Sequence, residues 1–225
     1  MLTALVAATG VALALVLALR PAVAGSPPLA WACLAGPYAV MALAALARMR
    51  RDGTLREKLL PRSGDVAFGA SVAVMLFFGA LAARMLIVPP RTAREAWLMN
   101  VYLRIGDPDA VQRHVLAYTA AIVLVAALEE LTWRGLVYDA LERSLGTRRA
   151  YPATAVLYAL AHAPTVVLLS APWAGPNPLV MLAALGCGLV WGLLVAQSGR
   201  LPVAIVSHAL FAWALAVQFP LWRLG

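Results

Sequence analysis

The chain has 225 residues, 63% of them hydrophobic and only 12% charged, with a formal charge of +8 at pH 7. Soluble domains carry about 45–50% apolar and about 25% charged residues, so this composition, with a mean hydropathy of +0.84, excludes a water-clothed globule. Nucleic acid is excluded as the partner of the basic charge, because there is neither zinc-finger spacing nor a basic strip with interleaved aromatics; loops that fix topology and touch anionic lipid account for it.

The apolar runs are continuous rather than alternating, and in hydrocarbon only helices or closed barrels satisfy the backbone. The expected fold is all-α, a polytopic transmembrane helix bundle of about seven spans. The first covers about Leu2–Leu19, the second Leu29–Ala47 and the third Val66–Val88. The fourth covers about Val115–Leu141, the fifth Pro152–Leu169, the sixth Leu179–Gln197 and the seventh Pro202–Phe219. Gly25-Ser26-Pro27-Pro28, Pro89-Pro90 and Gly175-Pro176-Asn177-Pro178 punctuate them. Ala22-Val23-Ala24 resembles a signal-peptide cleavage site, but no charged region precedes the first apolar run, so a retained helix is expected.

An N-terminus in the cytoplasm places Arg48, Arg50, Arg51, Arg56, Lys58, Arg62, Arg143, Arg148, Arg149 and Arg200 inside. It places Arg20, Arg91, Arg94, Arg104, Arg113 and Arg223 outside, and the cation bias favours this orientation. Between spans three and four, Trp97, Leu98, Val101, Tyr102 and Ile105 recur at helical spacing within 92–113. This predicts an amphipathic interfacial helix, with a lid over a lateral opening as the alternative. The chain thus divides into N-terminal helices with a basic loop and an interfacial segment, 1–113, and a core, 114–225. Cys33 and Cys187 lie in apolar segments and read as packing residues.

The core holds charges that an apolar helix tolerates only with partners. Span four carries Glu129, Glu130 and Arg134. Glu130 and Arg134 share a face at i,i+4 and read as an ion pair. Glu129 is turned about 100° away and lacks such a partner, an environment suited to general acid/base work. His162 and His208 lie in spans five and seven, and Tyr158 shares a face with His162. Taken singly, such histidines serve as helix–helix hydrogen-bonding groups. Measured from the cytoplasmic ends, Glu130, His162 and His208 lie roughly 10, 15 and 9 Å deep. Glu129, His162 and His208 are therefore expected to meet in one layer if their helices are neighbours. A carboxylate and an imidazole can hold and deprotonate water, and a second imidazole can donate to an oxyanion. Zinc is an alternative occupant, but there is no His-Glu-x-x-His and the ligand set is minimal, so no metal or other cofactor is expected. His114, at a membrane edge, is given no role.

In this order, Glu129-Glu130-x-x-x-Arg134-Gly135, Tyr158-x-x-x-His162 and His208 resemble the motifs of the CPBP family of intramembrane proteases (CAAX proteases and bacteriocin-processing enzymes, also called Abi). The resemblance covers about residues 115–217 and extends to Gly186-Cys187-Gly188-Leu189-Val190-Trp191-Gly192 and Ser198-Gly199-Arg200-Leu201-Pro202. It implies a glutamate-type endopeptidase without an essential metal, cutting near the C-terminus of a membrane protein or lipidated substrate. In that scheme Glu129 activates water with His162, His208 stabilises the oxyanion, and Glu130 and Arg134 hold the first motif. A myxosortase-like removal of C-terminal anchors is one role within the family. The implied partners are the lipid bilayer and a membrane-protein or C-terminal peptide substrate, and the implied location is the plasma (bacterial inner) membrane.

Two departures stand out. Tyr158 occupies a position where the family usually has phenylalanine. Ala212 stands where His-x-x-x-Asn or Asp is usual, and alanine cannot donate a hydrogen bond. Another group supplies that donor, or the substrate class differs, or the chain is an inactive scaffold. A proton-coupled transporter is the competing class, since buried Glu and His are equally at home there.

Overall fold

The computed structural model describes residues 1–24 and 26–221. Gly25 of the first Pro/Gly break and the outer cation Arg223 lie outside them. All regular elements among the described residues are helical. The principal ones are α1 (Leu2–Ala18), α2 (Pro27–Arg51), α3 (Asp65–Ile87), α4 (Glu95–Ile105), α5 (Val115–Leu145), α6 (Thr147–Leu168), α7 (Leu179–Ser198) and α8 (Pro202–Gln218). Of these, α2, α3, α5, α6 and α7 are long and apolar enough to cross a membrane; α1 and α8 are shorter apolar helices. The protein is a multi-pass membrane protein. Its outer faces carry Leu5, Leu43, Phe78, Met85 and Leu116 exposed, as hydrocarbon-facing surfaces do.

The sequence sets the ends of these helices. Prolines occupy the first turns of α2 and α8, where a missing N–H costs nothing. Gly199, at φ +69°, ends α7 in the left-handed conformation open to glycine. Arg84, the one cation within α3, is buried and donates from Nε to the Leu221 carbonyl at 2.8 Å.

Three helices depart from regularity where the sequence predicts unbroken spans, and in α8 residues Ala214–Gln218 form a π turn. In α5, residues Leu131–Val137 form a π turn, with Tyr138 N–H bonded to the Trp133 carbonyl. In α6 the ladder breaks at His162, between Thr147–Ala161 and Ala163–Leu168. Pro164 has no N–H to continue it.

α6 packs on α7, α3 packs on α8, and α8 packs on α5. The α3–α8 contact is close enough that Gly69 has no room for a methyl. A Cβ there would sit 2.9 Å from both the Val203 carbonyl oxygen and Val206 Cβ. α2 lies against the π turn of α5, so the N-terminal half forms one wall of the bundle around the buried charges.

At the cytoplasmic ends expected from charge, Asp139 of α5 accepts from Lys58 at 2.6 Å and pairs with Arg143. Asp65 takes a two-pronged bond from Arg200 at 2.7 and 2.8 Å. These pairs tie the basic loop after α2 to the ends of α5 and α7.

The segment 92–113 forms two helices, α4 and Pro108–Arg113, rather than one. Gly106 separates them at φ +149°, and a Cβ there would collide with the Tyr118 hydroxyl. Asp107 then caps the second helix. α4 is fastened to the neighbouring loop: Trp97 Nε1 donates to the Gly175 carbonyl at 3.2 Å, and Asn177 donates back to the Trp97 carbonyl at 2.9 Å. Tyr102 donates to the Leu215 carbonyl and accepts from Leu221 N–H, both at 3.0 Å. Burial pushes its phenol up to about 12, which keeps the hydroxyl neutral and able to play both parts.

Candidate active site

The wide turn of α5 brings its charged residues under α2, α6, α7 and α8. Glu129, His162 and His208 are each 8% exposed, and Glu130 is fully buried. The sequence anticipates one layer of Glu129, His162 and His208; the structure arranges these groups as two linked sets.

The first set is centred on Glu129. Its Oε2 accepts from the Tyr158 hydroxyl at 2.7 Å, so the tyrosine that replaces phenylalanine supplies a bond phenylalanine could not make. One turn on, His162 Nδ1 lies 2.8 Å from the Tyr158 carbonyl oxygen. A carbonyl only accepts, so Nδ1 carries the proton and Nε2 of the neutral ring is a free base. The rings of Tyr158 and His162 meet edge to face at 4.7 Å. Glu129 Oε1 has no protein partner among the described residues.

The second set is centred on Glu130. Its Oε1 accepts from Arg134 Nη1 at 3.0 Å and from His208 Nδ1 at 2.9 Å. The i,i+4 pair read from the sequence is therefore present, with His208 added to it. Arg134 also donates from Nη2 to the Gly188 carbonyl at 3.1 Å and lies over the Tyr158 and Trp191 rings at 5.1 and 5.5 Å. His208 stacks on Trp191 at 3.9 Å between centroids, and the indole N–H is anchored on Ser207 at 3.1 Å. With Nδ1 turned to a carboxylate, His208 presents Nε2 as a donor only when it is an imidazolium.

Three aromatic side chains complete this environment. Trp191 holds His208. Trp133 meets Tyr158 edge on at 5.1 Å and donates from Nε1 to the Tyr38 hydroxyl at 3.4 Å. Tyr38, from α2, is fully buried. A lone aromatic in an apolar helix reads as packing, and only the tertiary arrangement distinguishes these three. Ala212 packs in an apolar cluster with Trp31, Ile122 and Val217. Among the described residues, no three His, Cys, Asp or Glu side chains converge as a metal-ligand group.

Residues 111–214 match the family model of Rce1-like type II CAAX prenyl endopeptidases. This segment belongs to the Rce1-like family. The CAAX proteases resembled by the three motifs are thereby the relatives of the chain's core, and the Rce1-like domain begins before α5 and ends within α8. No curated protein and no solved structure matches the chain. Within the Rce1-like domain, Gly188 allows α7 to approach α6: a Cβ there would meet Tyr158 Cδ1 at 3.2 Å and Ala155 at 3.3 Å. Gly188→Ala is expected to displace Tyr158 from Glu129 at a stability cost of about 1 kcal/mol. Turnover should therefore fall while the melting temperature in detergent changes little; equal turnover would show that Tyr158 does not need this contact.

Proposed function

We propose that the protein is an intramembrane endopeptidase of the glutamate type. It cuts a peptide bond near the C-terminus of a membrane-associated or lipidated protein in the plasma (bacterial inner) membrane. The observation that carries this reading is the pairing of an uncommitted Glu129 oxygen with a neutral His162 whose Nε2 is free, inside a domain of a protease family. A carboxylate and an imidazole so placed hold a water and take its proton as its oxygen bonds to the carbonyl carbon. The carbonyl becomes a tetrahedral oxyanion, which the His208 imidazolium receives from Nε2. The proton then passes to the amide nitrogen, the C–N bond breaks, and acid and amine leave. Glu130 and Arg134 hold His208 and the motif helix. Neither step as written uses a metal or other cofactor. The N-terminus is cytoplasmic, and the partners are the bilayer and a membrane-protein or C-terminal peptide substrate.

The test compares C-termini of membrane proteins, by mass spectrometry, in cells holding the wild type or Glu129→Gln at equal levels. Shortened C-termini found only with the wild type support the reading. Identical termini in both would reject proteolysis and favour a transporter or a scaffold.

A further inference from the structure

His208 must deliver Nε2 to one place, and its bond to Glu130 does not do so alone. That bond, 2.9 Å from Nδ1 to Oε1, fixes one ring atom. Hydrogen bonds weaken steeply only below about 120°, so the ring plane, and with it the direction of Nε2, needs a second constraint. The Trp191 indole of α7 supplies it: the two rings lie 3.9 Å apart between centroids and 19° from parallel. The indole is itself held on several sides. Its N–H donates to the Ser207 hydroxyl at 3.1 Å, the Phe211 ring meets it edge on at 6.2 Å, and the Arg134 guanidinium lies 5.5 Å from its ring centroid. Arg134 also donates to Glu130 at 3.0 Å, so Glu130, Arg134, Trp191 and His208 form a closed circuit of contacts. Ser207 ties this circuit to the helix that carries His208. Adjacent helix positions point about 100° apart, so His208 meets the face of the indole while Ser207 takes its N–H. Both Ser207 and Trp191 are buried, Ser207 wholly, so an indole that loses this bond has no bulk water to turn to.

We propose that Trp191 and Ser207 are positioning residues of the active site: Ser207 pins the indole, and the indole sets the plane of His208 so that Nε2 points at the oxyanion. The inference rests on the protease reading for the use made of His208, and on the contacts above for the clamp. Neither residue touches substrate, and no bond to either forms or breaks. Any large apolar side chain would serve packing; the N–H bonded to Ser207 is what fixes the indole's rotation, and through it the imidazole's.

Two measurements on the full-length protein decide it, each on wild type, Ser207→Ala, Trp191→Phe and the double variant. The first is nuclear magnetic resonance in nanodiscs with ring-labelled histidine. The chain has three histidines, so three ring signals appear, and that of His208 is the one lost in His208→Gln. The ring current of a stacked indole holds it upfield. Ser207→Ala and Trp191→Phe should each move it downfield, while the His162 signal, whose ring contacts are with Tyr158, hardly moves. A His208 signal that stays put in either variant, or moves only together with that of His162, overturns the clamp. The second is turnover of a fluorogenic farnesylated C-terminal peptide in proteoliposomes, with Glu129→Gln as the inactive reference. Each single variant should lower kcat by about tenfold, the worth of one hydrogen bond, with KM within about twofold. The double variant should be no worse than Trp191→Phe, because both changes remove the same bond. An unchanged kcat, or losses that multiply, overturns the action of Ser207 through the indole and leaves the protease reading standing. Turnover that survives Glu129→Gln, or is absent from the wild type, overturns that reading instead, and the His208 signal still decides whether the clamp holds the ring.

Discussion

Arg134→Leu is expected to destabilise the protein by about 3–5 kcal/mol, the cost of breaking a buried ion pair from one side. The guanidinium is fully buried; it holds Glu130 at 3.0 Å, the Gly188 carbonyl at 3.1 Å and two aromatic faces. Its removal leaves Glu130 with His208 alone, and Glu130 Oε2 has no partner among the described residues even in the intact protein. Total stabilities of about 5–15 kcal/mol make this loss large enough to see as poor yield in detergent and an early melting transition. Replacing both members, Glu130→Leu with Arg134→Leu, removes the uncompensated charge and should recover much of the loss. If the double variant melts no higher than the single one, the damage comes from lost packing on Tyr158 and Trp191 rather than from the stranded carboxylate.

Glu129→Gln should have the opposite profile. A glutamine oxygen can still accept the Tyr158 hydroxyl at the position now 2.7 Å away, so the fold and melting temperature are expected to hold. What is lost is the base, and a general base contributes about 10²–10⁴-fold. kcat with a fluorogenic C-terminal peptide should fall by that factor while KM moves little, because in the proposed mechanism the residue engages the reacting water rather than the remote parts of the substrate. Tyr158→Phe gives the intermediate case. It removes the bond that orients Glu129 but not the base, so its loss should be smaller. A Tyr158→Phe defect as large as that of Glu129→Gln would mean that the phenol itself takes part in proton transfer.

Much of this arrangement is legible in the sequence. Long continuous apolar runs give the spans, because hydrocarbon leaves the backbone little choice. The i,i+4 spacing of Glu130 and Arg134 gives their ion pair, because helix geometry fixes it locally. The partner of His208 is not legible: adjacent carboxylates differ by about 100° of rotation, and which one meets a distant helix depends on how that helix is rolled. The expectation of a shared layer leaves that partner open, and in the bundle His208 meets Glu130 at 2.9 Å. The π turn is hidden for a related reason, since its widened ring is set by what packs around it, and π-bulges gather at functional sites. Tyr38 is hidden because nothing local marks it, and its bond from Trp133 emerges only from the fold. Ala212 shows the reverse: the missing polar group is plain in the sequence, while its apolar surroundings of Trp31, Ile122 and Val217 emerge only from the fold.

The wide turn also fixes how freely this stretch can vary. Thr132, Trp133, Arg134, Gly135, Leu136 and Val137 are all buried in succession, so none of these six positions looks out to lipid. In an ordinary peripheral span, such as α3, buried and exposed positions alternate with the helical period. Saturation mutagenesis should therefore yield a periodic pattern of accepted residues along α3 and an unbroken block of intolerance at 132–137. The chain can drift by point changes along its outer helices, whereas this block can change only through coordinated substitutions in the helices that surround it.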